Sequence, residues 1–297
     1  MNKKAFLYII IAGILWGTSG IFVHYLSPYG FTAFQMTGVR AIVSFLCIAL
    51  YALIKDRKAF FVRPLQLLLF AGIGASLFFT AGCYYLSMQM TSVSTAVILM
   101  YLSPIYVTVF SALFLGEILT KRKLVAIAAM LIGCCLVSGI IGGLNFDAMG
   151  ILVGLLSGVS YAAYSILTKI AMQKRIEPIA ATLYGFLFMS LISLFVLEPS
   201  RLVTSIGTAP ALTLPLLLGL GVFTFVVPYF LYTLAIKDLS AGVASSLGII
   251  EPMCATLFGV VLFREPMDIF SALGIVLILG ATCWIGKAES TATNQKS

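Results

Sequence analysis

The chain has 297 residues, of which 61% are hydrophobic and 9% are charged, and it carries a formal net charge of +8. A soluble domain has a charged share of roughly 25%, so this composition excludes an ordinary water-soluble fold and describes a membrane protein throughout. Nor does the basic balance argue for nucleic acid, because the cations are scattered over six separate short segments rather than gathered in one patch.

A bilayer core about 30 Å thick takes about 20 apolar residues per helix, and ten such runs lie between polar breaks. In chain order they extend from Ala5 to Leu26, Phe31 to Ile54, Pro64 to Met88, Ser92 to Leu115 and Leu124 to Ile141. The second five run from Met149 to Ile170, Ile179 to Leu197, Leu212 to Ile236, Ala241 to Phe263 and Ile269 to Ile285. Spanning strands are about 10 residues long and alternate in polarity, whereas these runs are long and apolar on all sides. The expectation is an all-α membrane protein of ten transmembrane helices. The first run follows Met1-Asn-Lys-Lys, is long enough to span and has no small-residue cleavage site behind it, so it reads as retained rather than as a signal peptide. The polar tail Glu289 to Ser297 is expected to be too short to fold.

Lys and Arg in short loops stay on the cytoplasmic side. With the N-terminus inside, the inner flanks hold 14 cations and the outer flanks only Arg201 and Arg264, with Arg40 and Lys169 left within helices. The chain is therefore expected to sit in a plasma membrane, the inner membrane of a bacterium, with both termini cytoplasmic.

The chain also repeats itself. A shift of 148 lays MYLSPIYVTVFSALFLGE, from Met100, over GIIEPMCATLFGVVLFRE, from Gly248. Pro104 then falls on Pro252, Thr108 on Thr256, Phe110 on Phe258 and Glu117 on Glu265. Upstream, Ser92, Ala96 and Leu99 meet Ser240, Ala244 and Leu247. A weaker match, at a shift of 145, lays AGILWGTSGIFVHYL from Ala12 over SGVSYAAYSILTKIA from Ser157, pairing Trp16 with Tyr161 and His24 with Lys169. The expected organisation is a first five-helix repeat over 1–141, a second over 142–288, joined around SGIIGGLNF (138–146), and the tail 289–297. Five is odd, so the second repeat should cross the membrane upside down, leaving Glu117 at the inner face and Glu265 at the outer. Inverted repeats around a midplane site are an architecture of secondary transporters that expose one site to each side in turn.

WGTSGIF near the start, the arginine of GVRAIVSF in the second run and the two Pro-to-Glu motifs resemble the drug/metabolite transporter superfamily, and within it the EamA-type family. That resemblance covers essentially the whole chain. It implies ten helices and export or exchange of small amphipathic metabolites such as amino acids, amines or related compounds, with proton coupling left open. An uncoupled facilitator or channel and a non-transporting membrane partner subunit stand as alternatives. The two halves depart from each other where Ser103 faces Glu251 and where Arg264 replaces Gly116.

A proline within a helix leaves the carbonyl four residues back without its donor; for Pro104 and Pro252 these are Met100 and Gly248. In lipid such a carbonyl must face protein or a wet cavity, so each proline is either a kink healed by a neighbouring helix or part of a cavity wall. Glu251 and Arg40 are ionisable groups deep in the bilayer, each costing about 2.5 to 3.5 kcal/mol on insertion scales. At 1.5 Å per residue they lie about 18 and about 14 Å from the outer helix ends, close enough in depth to meet. Two readings of Glu251 follow: a structural ion pair with Arg40, or a carboxylate that takes a proton or a cationic substrate. Arg40, Pro104, Pro252, Glu117 and Glu265 are read as structural or gating residues. Lys169 is expected to snorkel to the cytoplasmic surface, and His24 to be a surface group at the outer rim.

Tyrosines normally collect at the membrane interfaces, yet Trp16, Tyr84, Tyr85, Tyr101, Tyr106, Tyr161, Tyr164, Tyr229 and Tyr232 fall within the runs. Each hydroxyl needs a partner in lipid. Interhelical bonding would satisfy any one of them, whereas together they suggest an amphipathic cavity. The expected substrate-binding set is Trp16, Tyr84, Tyr101, Ser103, Tyr161, Tyr164, Tyr229 and Glu251, with Glu251 the candidate for proton coupling. GILWG (Gly13 to Gly17) and GLLSG (Gly154 to Gly158) are small-xxx-small motifs for close helix packing. Six cysteines without metal-ligand spacing, a single histidine and no phosphate-cradling or ATPase motif argue against an enzyme, a metal or a cofactor. The expected partners are the bilayer and a small molecule, and a monomer is compatible with this reading.

Overall fold

The computed structural model describes residues 3–138, 147–264 and 266–294, with side chains through residue 285. Among the described residues there is no strand, and ten apolar helical runs follow one another, with a short amphipathic helix between the seventh and the eighth. The first five are α1 (Lys3–Tyr29), α2 (Ala33–Lys55), α3 (Pro64–Met90), α4 (Val93–Leu115) and α5 (Lys121–Val137). The second five are α6 (Ala148–Gln173), α7 (Pro178–Ser193), α8 (Pro210–Asp238), α9 (Ala241–Phe263) and α10 (Ile269–Asn294). Seven of these, α1 to α4, α6, α8 and α9, are long and apolar enough to cross a membrane; α5, α7 and the apolar part of α10 are shorter. The expected runs are recovered to within a few residues. The segment 139–146, where the division into halves was expected, lies outside the described residues, as do Glu265 and residues 295–297.

Two elements differ from expectation. The tail was expected not to fold, yet α10 continues through Glu289 to Asn294, because extending a helix already formed adds one hydrogen bond for each residue fixed. Between α7 and α8 a short amphipathic helix, Pro199–Thr208, starts on a proline and carries an ion pair between Arg201 and Glu198 at 3.7 Å.

Polar residues at the breaks set the helix ends. Thr32 and Gln35 close a capping box on α2. The Asp147 carboxylate accepts the Gly150 N–H at 2.6 Å to start α6, and the Thr120 hydroxyl accepts the Lys123 N–H to start α5. Each satisfies an N–H that the helix ladder leaves over. α4 and α9 end alike: Gly116 at φ 65° and Arg264 at φ 57° are both left-handed, donating back to the Ser111 and Gly259 carbonyls respectively. Glycine adopts that conformation freely and arginine does so under strain.

The main helix pairings are kept when the two halves are exchanged, although α6 meets α8 and α5 meets α9 more closely than their counterparts meet. α3 packs on α6 as α1 packs on α8; α4 packs on α6 as α9 packs on α1; α3 meets α7 as α8 meets α2. α2 meets α7, its own counterpart, and α5 meets α10. The small residues of α1 and α6 allow two of these approaches. A Cβ on Gly17 would come within 2.7 Å of Cys254 Cβ and 3.1 Å of the Glu251 carbonyl, and one on Gly158 within 2.9 Å of the Leu99 carbonyl. The buried core runs through both halves, while Phe195, Leu65, Leu68 and Val276 are among the large apolar side chains left outward, as a lipid-facing surface requires.

Candidate functional site

α4 and α9 each break in mid-membrane. The regular ladder of α4 is interrupted by a turn at Tyr101 and Leu102 and restarts at Ser103; that of α9 tightens into a turn at Gly248 and Ile249, which donate to the Ser245 and Ser246 carbonyls, and restarts at Ile250. Pro104 and Pro252 therefore stand in the first turn of a new helical segment, where a missing N–H costs least. Both rings are buried. The carbonyls expected to be freed do not form a cavity wall. That of Gly248 accepts the Glu251 N–H at 2.9 Å, and that of Met100 lies against Gly158 of α6. The break lets a tight turn and a close helix contact occupy them.

The restart in α9 places Glu251 in a first turn, where the helix dipole favours an acid. Its side chain is half-buried although it stands in mid-helix. No ion pair joins it to Arg40 among the described residues. Tyr101, 7% exposed, turns its hydroxyl toward the Glu251 carboxyl. Tyr84, Tyr161 and Tyr229 lie near enough to feel the same carboxylate, and all three are half-buried. Ser103, the counterpart of Glu251, is only 2% exposed and sealed in packing.

Arg40 is 9% exposed and held by aromatic rings rather than by a carboxylate. Its guanidinium lies 4.4 Å from the Phe225 ring centroid and 6.0 Å from that of Tyr85, contacts that stabilise a cation over a π face. One terminal nitrogen donates to Thr37 and Tyr85 at 3.3 Å each, while the buried Nε has no partner. A chain of rings runs from there toward Glu251: Phe225 to Tyr229 at 4.7 Å, Tyr229 to Trp16 at 5.1 Å. Trp16 Nε1 is buried without a partner. Tyr164 packs edge-on to Tyr229 at 5.4 Å and lies 6.0 Å from Tyr161.

Three contributors escaped the sequence reading or were left out of its binding set. Phe225 lies in a π-helical stretch, Val222–Val226, within α8; such one-turn widenings are frequent at functional sites. Pro228, two residues past that stretch, is its only sequence signal. Tyr85 braces Arg40, and Tyr232, fully buried, bonds Ser165 at 2.8 Å.

Beside this cluster a cavity of about 10 Å³, room for a single water, is lined by Tyr164, Thr168, Thr182, Phe186, Tyr229 and Thr233. A larger apolar groove of about 490 Å³ lies between α5 and α10, apart from every candidate residue. Among the described residues no group of His, Cys, Asp and Glu could hold a metal. Glu117 and Lys169 belong elsewhere, at the link between α8 and α9, where each bonds backbone. Lys169 donates to two carbonyls at that link, 2.8 and 2.6 Å away. His24 packs 4.2 Å from Phe263.

A family model described as the EamA-like transporter family matches residues 3–139 and again 148–287. An uncharacterized transporter of Archaeoglobus fulgidus is 31% identical over 91% of this chain and 92% of its own length. The uncharacterized transporter YwfM of Bacillus subtilis is 26% identical, over 92% and 90%, and the uncharacterized inner membrane transporter YicL of Salmonella typhimurium 23%, over 96% and 95%. A solved crystal structure superposes with a TM-score of 0.80, covering 98% of this chain and 99% of that one at 18% identity; at that identity it speaks for the fold alone.

Proposed function

The chain belongs to the EamA-like transporter family and is a multi-pass membrane transporter, and from that premise we propose that it is a secondary transporter exporting or exchanging small amphipathic metabolites by alternating access. The observation that carries this reading is Glu251: a carboxylate in mid-membrane, partly accessible, without an ion pair among the described residues, with Tyr101 turned toward it and Arg40 near enough to act on it. A carboxylate in mid-membrane that makes no ion pair needs a ligand or a proton, and the rings around it suit the apolar part of a substrate whose amino group meets Glu251. Amino acids and amines are the substrate classes that fit.

Two five-helix halves of opposite orientation, with both termini cytoplasmic and the inner membrane as the site, supply the two mirror conformations. Support comes from the twofold match of the family model, from the main helix pairings that survive exchange of the halves, and from the cation asymmetry. Coupling to protons follows from Glu251 as well. Burial and a nearby cation act on a carboxyl in opposite senses, so opening the site to water on alternate sides changes its hold on a proton and can drive substrate uphill.

Reconstitution into proteoliposomes with a panel of amino acids, amines and sugars tests the substrate class. Counterflow of an amino acid or amine, with none for sugars, is expected; counterflow of sugars alone would overturn it. An imposed pH gradient then tests coupling, with uphill accumulation expected in the wild-type chain and absent in Glu251→Gln.

A further inference from the structure

The two-residue link between α8 and α9 is gripped by three charged side chains, two from helices and one from the loop between α4 and α5. Lys169 of α6 donates to the Ile236 and Leu239 carbonyls, at 2.8 and 2.6 Å, closing the C-terminal end of α8. Glu117, set in place beyond the left-handed Gly116, accepts the Ala241 N–H at 2.8 Å and so caps α9 from outside. Lys123 of α5 donates to the Ser240 hydroxyl at 3.1 Å, and Ser240 makes no capping bond to its own helix. Acid at a helix start and cation at a helix end are the favourable placements, and such charge-assisted bonds are the stronger ones. Behind them every residue of Ala241–Leu247 is buried, packed on the Ser103–Leu115 segment so closely that a Cβ on Gly242 would meet Thr108 Oγ1 at 2.7 Å.

At the other end of the molecule the repeat-equivalent parts are arranged differently. Ser92 caps its own helix, accepting the Thr95 N–H at 3.1 Å and meeting the Thr95 hydroxyl at 2.9 Å. Within Val93–Met100 only Thr95 and Ala96 are buried, Val93 is 59% exposed, and the segment scarcely touches Ile250–Phe263. Among the described residues, which do not include Glu265, the counterpart of Glu117, His24 as the counterpart of Lys169 stacks near Phe263 at 4.2 Å and donates to no carbonyl of the α3–α4 link.

We infer that Lys169 and Glu117, with Lys123, form a latch on the α8–α9 link that holds one mouth of the transport path shut, and that the structure is the state latched at this mouth and unlatched at the other. The inference rests on the alternating-access reading above. Its test therefore reads accessibility in the purified full chain, so that it can fail while transport is observed, and stand where a substrate panel fails.

In a cysteine-free background, single cysteines are placed behind the latch at Val243 and at its mirror position Thr95, and labelled with a water-soluble maleimide. Lys169→Met should speed labelling at 243 about tenfold, as a closed population gives way, and leave position 95 unchanged or slower; Lys169→Arg should behave as wild type. Ala241→Pro provides a second route. It deletes the N–H that Glu117 accepts while proline suits the first helical position, and Ser240 already has the extended backbone (φ −65°, ψ 145°) that precedes a proline. It should also speed labelling at 243. Unchanged labelling at 243 in both variants, or an equal rise at positions 95 and 243, would overturn the latch.

Discussion

α4 and α9 carry one pattern 148 residues apart and share the same break, the same proline and the same left-handed end, yet only α9 carries an acid at the restart. Ser103 in α4 is sealed, whereas Glu251 in α9 reaches accessible space among tyrosines. The difference teaches that repetition builds the scaffold and departures from repetition build the site. Backbone geometry is reused in both halves, and the charge appears in one.

The largest expected break in this comparison is at the acid. Glu251→Gln keeps shape and removes titration, so uphill transport driven by a pH gradient should fall at least about tenfold, a barrier change of about 1.4 kcal/mol, while downhill exchange persists. Ser103→Ala, its counterpart, should change transport less than about twofold, since it deletes one hydroxyl in a packed position. Proteoliposome flux at fixed expression and monodispersity measures both. A loss in Ser103→Ala equal to that in Glu251→Gln would mean the halves are chemically equivalent after all.

The close approaches come next. Gly17→Leu forces side-chain atoms into Cys254 and the α9 backbone, and Gly158→Leu into the Leu99 carbonyl of α4. Overpacking of this kind costs about 1–3 kcal/mol, visible as lowered thermal midpoints in detergent. Similar losses are expected for the two variants, because each glycine lies against the backbone of a broken helix, Gly17 against α9 and Gly158 against α4; a large loss in one alone would show that the halves bear load unequally.

Arg40→Lys keeps the charge but loses the planar stack on Phe225 and Tyr85. A loss of about 1 kcal/mol in stability is expected, with transport reduced and not abolished.

The smallest effect sharpens the comparison at the helix ends. Arg264→Gly relieves a left-handed backbone and should stabilise by roughly 1 kcal/mol, whereas Gly116→Arg should destabilise by a similar amount. Matched and opposite shifts in thermal midpoint would show that the two ends are one geometry filled by different residues.

Much of this was legible before any coordinates. Ten apolar runs, the shift of 148 and the cation count already define a membrane helix bundle of two related halves, because hydrophobic length and repetition are properties of the chain itself. Glu251 stood out for the same reason: an acid in a lipid-length run is conspicuous by composition alone. Phe225 is one phenylalanine among 22, and only the π-helical turn and the approach of α2 set it over Arg40. Pairing of Arg40 with Glu251 was open in the sequence, since depth along two helices says nothing of rotation about them; the fold turns the guanidinium to aromatic rings instead. The carbonyls of Met100 and Gly248 were counted as freed from the proline rule, but a broken helix can spend such a group on a turn or against a glycine. Lys169 and Glu117 likewise showed only as charges near helix ends. That they grip a link in another part of the chain was decided by tertiary structure, because hydrogen bonds between residues more than 60 positions apart depend on how helices cross, which no local pattern records.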